Sequence, residues 1–159
     1  METVYIETSI ISYLTARPSK NLIAAARQQQ TWEWWENYRQ NYMLFTSNLV
    51  IAEASQGDNQ QSQKRLHVLR EIERLTINIA CEELADKLII DSPIPDNAQD
   101  DALHIAIASY HSVDFLLTWN FKHLANAHLI PKVRTIVEAS GYYFPQICTP
   151  EELIGEYYE

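Results

Sequence analysis

The feature that most constrains this chain is an alternation. Short runs rich in β-branched and aromatic residues, TVYIE (3–7), YMLFT (42–46), LTINI (75–79) and VDFLLT (113–118), are separated by stretches long enough for one or two helices each. Hardly any hairpin signal joins one run to the next. Connections of that length carry parallel strands, because only a crossover returns the chain to the same edge. VDFLLT is apolar at nearly every position, as strands covered on both faces are. Three glycines in 159 residues are few for an all-β chain full of tight turns. The expected class is therefore α/β with a mainly parallel central sheet of four to five strands. No repeat, low-complexity tract or linker interrupts the chain, and its length fits one domain over 1–159.

The intervening helices can be placed from their end signals. A short helix over 8–14 is broken by RPS at 17–19, and a long one runs from about 20 to 39. Ser47 is an N-cap for the helix carrying NLVIAEAS. Gly57 and Asp58 precede a polar helix over 59–73, and CEELADKLII is helical up to SPIP at 92–95. Asp96 with Gln99 forms a capping-box pattern that opens a helix through about Ser109. A helix around 127–140 stops at Gly141, QICT is a fifth short strand, and TPEEL is a capped last helix.

Composition narrows the class. Apolar residues make up 47% and charged residues 21%, so the chain has the means to bury a core. Cys81 and Cys148 have neither zinc-ligand nor C-x-x-C spacing and read as core residues. No basic-then-apolar leader opens the chain, and no apolar run reaches membrane-spanning length, so a reducing cytoplasm is the expected location. A net charge of −9 argues against a broad nucleic-acid surface. It leaves room for a nuclease whose acids are offset by bound cations, or for a basic partner protein.

The acids fall in a pattern. In open α/β sheets, ligands bind outside the carboxyl ends of the strands. Glu7 closes the first β run, Glu53 follows the second, and Asp101 stands in the first turns of DDALHIAIA. TWN (118–120) closes the fourth run. A parallel sheet can gather all four positions on one edge. Converging carboxylates repel unless a positive charge lies between them, and a hard divalent ion with oxygen ligands supplies it. Such an ion polarises a phosphoryl oxygen and lowers the pKa of an attacking water. Each acid also has a structural role open to it. Glu7 can cap the helix that begins at Thr8, Glu53 can pair with an arginine, and Asp100 and Asp101 can answer a helix dipole.

The segments YIETSIISYL, TSNLVIAEAS, DDALHIAIASYHSVDFLLTWNFKHL and ICTPEELI, in this order and spacing, resemble a PIN domain over nearly the whole chain. The resemblance implies a three-layer α/β/α fold and a metal-dependent ribonuclease akin to the VapC-type toxins of bacterial toxin–antitoxin pairs. It implies Mg²⁺ or Mn²⁺ as cofactor, RNA as substrate, an antitoxin protein as partner and a homodimer. Carried over by position, the acids that hold the metal are Glu7, Glu53 and Asp101, and the fourth site position is Asn120. Here Glu7 stands where the family usually has Asp, and Asn120 where it has a fourth Asp. Asn120 can still offer a carbonyl oxygen, but it removes one negative charge.

Softer candidates surround these four. Thr8 and Thr118 carry hydroxyls at strand ends, which either position a water or a phosphate or cap a turn. His104 reads as a hydrogen-bonded core histidine beneath Asp101. His123, Lys122, Arg17 and Lys20 are candidates for substrate contact, against a plain role as solvated surface. TWEWWENY places Trp32 and Trp35 on one helical face and Trp34 with Tyr38 on another, so at least one indole is expected at an edge. Such an indole suits a protein interface or a stacked RNA base, against a wide core stripe with one half-exposed ring. Two other classes compete with the enzyme. One is a PIN-like module that binds a partner or RNA without cutting it. The other is a phosphoacceptor domain or phosphatase, although this chain lacks an early pair of adjacent acids and a D-x-D motif.

Overall fold

Val4, Tyr5 and Ile6 expose nothing to solvent, and they form the middle of the sheet. They lie in β1 (Thr3–Ile6), which pairs in parallel with β2 (Met43–Ser47) on one side and β4 (Phe115–Leu117) on the other. β3 (Glu73–Leu75) extends the sheet beyond β2, and β5 (Gln146–Cys148) beyond β4. The order is β3-β2-β1-β4-β5, and every pairing is parallel. The structure is a computed structural model and describes residues 1–155. The final stretch, 156–159, of the span expected to form one domain lies outside the described residues.

Eight α-helices among the described residues flank the sheet. They are α1 (Thr8–Thr15), α2 (Leu22–Asn37), α3 (Asn48–Ala54), α4 (Asn59–Leu69), α5 (Ile79–Asp91), α6 (Gln99–Tyr110), α7 (Ile130–Ala139) and α8 (Pro150–Ile154). α1 packs on α2, α3 and α4, and α2 also packs on α8. α5 packs on α6 and α7, giving a second group. The result is the α/β class expected from the alternation, with five strands.

Local chemistry explains most of the ends. The Asn21 side chain accepts from the Ala24 N–H and starts α2 there rather than at 20. Ser47 accepts from the Val50 N–H, as its position predicts. Thr149 N–H donates to Glu152 at 3.0 Å, closing the first turn of α8. Gly141 stops the chain after α7 with φ +88°, a conformation that glycine adopts without a Cβ penalty. Both cysteines are buried, and burial raises both thiol pKa values, as core residues require.

Three expectations are corrected. The third strand is 73–75, not 75–79: Asn78 accepts from the Cys81 N–H and starts α5 one residue later. The LTINI run is thus mostly a strand end plus a helix cap. The capping box at Asp96 does not form either. Asp96–Ala98 is a 3-10 turn, and α6 opens at Gln99 from Ala98 with no side-chain cap. The polar helix α4 also ends earlier, at Leu69, because Ile72 turns into the core before β3.

The strand order positions the site. β1 leads outward to β2 and β3, and the chain then crosses to β4 and β5 on the other flank. Order therefore reverses between β1 and β4, where open sheets leave a crevice at their carboxyl ends. Ile6 pairs with Leu117, and the Glu7 N–H donates to the Leu117 carbonyl at 3.1 Å. The residues that follow each strand, Glu7 and Thr118, consequently emerge side by side.

Candidate metal and active site

Glu7 is 5% exposed and meets no cationic side chain within ion-pair range among the described residues. Its stabilisation comes from neutral donors. Ser9 Oγ and Thr118 Oγ1 each donate to Oε1 at 2.5 Å, and Ser9 N–H donates to Oε2 at 3.1 Å. The last contact is an N-cap of α1, so the structural role open to Glu7 is realised. It does not remove the charge problem. A buried carboxylate without a cation is costly, and a second carboxylate stands close by.

That second acid is Glu53. Ligand atoms of Glu7, Glu53 and His104 all lie within 4.8 Å of one another. Glu53 Oε1 accepts from Thr8 Oγ1 at 2.6 Å and from His104 Nε2 at 2.7 Å. Its partner is thus a histidine and not the arginine considered as an alternative. A carboxylate only accepts, so the proton of this bond sits on His104 Nε2. In the neutral ring, Nδ1 then accepts from Tyr5 OH at 2.7 Å, and Tyr5 accepts from Ser47 Oγ at 2.8 Å. In the imidazolium both hydroxyls turn round and the column stays satisfied.

Burial pushes Glu53 up, but the hydrogen bond and charge of His104, with the Thr8 hydroxyl, outweigh it and hold the carboxyl below its ordinary value. Burial pushes His104 down; the bond to Glu53 and the charges of Glu7, Glu53 and Asp101 outweigh that and raise it. Tyr5 is pushed well up by burial, against the Ser47 bond and with the two glutamates adding, so it remains a phenol. His104 is fully buried, as a core histidine should be. Both of its ring nitrogens are committed, so it orients Glu53 and presents no free lone pair.

Asp101 sits one helical turn before His104 on α6 but is not in the compact trio. Its Oδ1 accepts from Asn120 Nδ2 at 3.1 Å, and its Oδ2 pairs with His123 Nδ1 at 2.8 Å. The Asn120 carbonyl oxygen, which could be offered to a metal or a metal-bound water, accepts from the N–H groups of Lys122 and His123. Asn120 N–H donates to Thr118 Oγ1 at 2.9 Å. A continuous chain of hydrogen bonds therefore runs from Glu7 through Thr118 and Asn120 to Asp101 and His123.

The softer candidates divide. Thr8 and Thr118 both hold carboxylates of the site. His123 joins it through Asp101, while Lys122 is exposed beside it. Arg17 and Lys20 are exposed in the turn after α1, with Arg17 beside Ser12, Asp58 and Gln61 in a shallow cleft. In α2, Trp34 is fully buried while Trp32 and Trp35 are half-buried, and Trp32 Nε1 donates to the Leu14 carbonyl. Sequence reasoning missed Ser9, which braces Glu7, and the Tyr5–Ser47 support beneath His104. Ser9 was signalled by its place two residues after a strand-ending acid, where a cap hydroxyl falls. The Tyr5–His104 contact spans 99 residues and has no local signal.

The donor set suits a hard cation. Two carboxylates converge, their neighbours are hydroxyls and the His104 imidazole, and no thiol is in the cluster. No family model matches this chain, and no curated protein does. Solved structures do. The chain is similar to VapC20 of Mycobacterium tuberculosis, described as a sarcin–ricin loop cleaving toxin, at 14% identity and TM-score 0.58 over 87% of this chain and 95% of that one. It is similar to VapBC2 of Rickettsia felis, solved on a DNA fragment from its promoter, at 18% identity and TM-score 0.57 over 92% and 98%. It is also similar to VapBC-1 of nontypeable Haemophilus influenzae, at 16% identity and TM-score 0.56 over 94% and 98%. At these identities the likeness is one of fold.

Proposed function

We propose that this chain, whose fold is the VapC-type PIN-domain fold, is a metal-dependent endoribonuclease and the toxin of a toxin–antitoxin pair. One observation carries the proposal. Side chains from positions 7, 53 and 104, far apart in sequence, converge within 4.8 Å at the crevice between β1 and β4, and two of them are carboxylates. Glu7 and Glu53 would hold Mg²⁺ or Mn²⁺, with Asp101 completing the acidic set. When bound, the ion supplies the positive charge that offsets these acids and polarises a phosphoryl oxygen. The chain's own part is alignment. Ser9 and Thr118 fix the Glu7 carboxylate, and Thr8 and His104 fix that of Glu53. Asn120 and His123 hold Asp101. Pre-set groups of this kind need little reorganisation as charge develops on a phosphate.

The solved neighbours support the partner as well. Two of them are VapBC proteins, so a cognate antitoxin is proposed here, with a homodimer and a cytoplasmic location. Among the described residues no helix is long and apolar enough to cross a membrane.

The experiment is a cleavage assay on single-stranded RNA with Mn²⁺ and with EDTA. Glu53→Gln keeps the side chain's shape and removes its charge. It should lower the metal-dependent rate at least 100-fold while the protein stays folded by circular dichroism. Wild-type cleavage by folded Glu53→Gln would overturn the assignment. A second reading, a binding module without catalysis, is favoured by one contact set: both Asp101 oxygens are already taken by Asn120 and His123. On that reading the wild type binds RNA or antitoxin and cuts nothing at any Mn²⁺ concentration.

A further inference from the structure

Arg27 of α2 has an unusual setting. Its guanidinium carbon lies 4.9 Å from the Phe121 ring centroid and 5.7 Å from that of Trp119. In a chain with 21 acids it forms no ion pair: the ion pairs among the described residues are His104–Glu53 and His123–Asp101. An arginine stacked on aromatic rings keeps its in-plane N–H donors free for a planar or tetrahedral anion.

The rings beneath it are fixed to the site. Trp119 is 6% exposed, and its Nε1 donates to Thr31 Oγ1 at 2.9 Å. Thr31 in turn donates to the Arg27 carbonyl, one turn back on the same helix. The Trp119 N–H donates to Ser9 Oγ, and Ser9 holds Glu7. Phe121 packs edge-on against Trp119 at 6.1 Å yet stays 44% exposed. It is three residues beyond Thr118, so its backbone lies at most about 11 Å from that of a residue touching the candidate metal site. An exposed ring and an unpaired guanidinium side by side are what a stacked base and its phosphate require. In an acidic protein, this is a cationic point held against the TWN corner of the site.

We infer that Phe121, Arg27 and the buried Trp119 behind them form a nucleotide-binding platform, on which a base of single-stranded RNA stacks at Phe121 while Arg27 holds a flanking phosphate. The inference rests on the ribonuclease reading and adds a substrate subsite to it. The tryptophans of α2 were the stacking candidates visible in the sequence. The platform instead uses the ring after Asn120, with α2 supplying the cation.

The test is steady-state cleavage of a short single-stranded RNA with Mn²⁺, at several salt concentrations, by the full chain. Phe121→Ala and Phe121→Leu should each raise KM about tenfold with a smaller change in kcat, and Phe121→Tyr should restore the wild-type KM. Leucine retains apolar bulk without a π face, so it separates stacking from packing. Arg27→Gln should raise KM and reduce the slope of log affinity against log salt by about 0.7, the value for one phosphate contact on a single strand. Wild-type KM in Phe121→Leu, or an unchanged salt slope in Arg27→Gln, would overturn the platform and leave the ribonuclease standing. A wild type that neither cleaves nor binds RNA would remove both.

Discussion

Glu7 and Glu53 are held by hydroxyls and one imidazole, and each such contact predicts a measurable cost. Thr118 is fully buried and donates to Glu7 Oε1. Thr118→Val removes that donor and leaves a buried carboxylate less satisfied. It should destabilise the metal-free protein by about 1–3 kcal/mol in urea denaturation. His104 makes a pH-dependent prediction. Its folded pKa is raised above 6.5, so its contribution to stability is full below 6.5 and is lost as pH rises through the folded value. Glu53 is lowered from 4.5, so its contribution is full above 4.5 and is lost as pH falls through the folded value. Both contributions overlap between 4.5 and 6.5. In EDTA, the stability gap between wild type and His104→Gln should be widest in that window and narrow as pH rises through the folded value of His104. A gap that is flat with pH would contradict the pairing. At this scale the sequence was informative where chemistry follows a strand end: Glu7, Thr8 and Thr118 all lie in the hydrogen-bonded cluster. Glu53 and His104 were each singled out, but not their contact with each other and with Tyr5, since residues 5, 53 and 104 meet only once the sheet and α6 are assembled.

Elements were legible where an end signal acts locally. Ser47, Gly141 and Thr149 stop or start helices through one or two bonds to near neighbours, so their positions could be read directly. A Cβ added at Gly141 would meet no other atom within 4 Å, while the backbone there has φ +88°. Gly141→Ala therefore costs only backbone strain, about 1 kcal/mol by thermal or urea unfolding. A loss above about 3 kcal/mol, well beyond that strain, would mean that the turn carries more than conformational freedom. The Asp96 capping box was not formed because the 3-10 turn after Pro95 leads into α6 without it. In α2, spacing correctly divided the indoles between faces. It could not say that Trp34 would be the buried one, which depends on packing against Tyr42.

For the whole molecule, strand–helix alternation was enough to predict parallel pairing, but not the order β3-β2-β1-β4-β5. The proposed function rests on that order, because it sets the ends of β1 and β4 side by side and brings Glu7 to Thr118. A net charge of −9 then becomes intelligible as well. On the proposed reading, cations would be recruited at one acidic crevice, and a nucleic acid would be gripped at few points rather than across a basic face. The central claim is that these convergent acids bind a divalent cation. Calorimetric titration of Mn²⁺ into the apo protein tests it most directly, with the Glu7→Gln/Glu53→Gln double variant alongside. Saturable binding by the wild type that is lost in the folded double variant is the predicted result; no wild-type binding at millimolar Mn²⁺, or equal binding by both proteins, would contradict it.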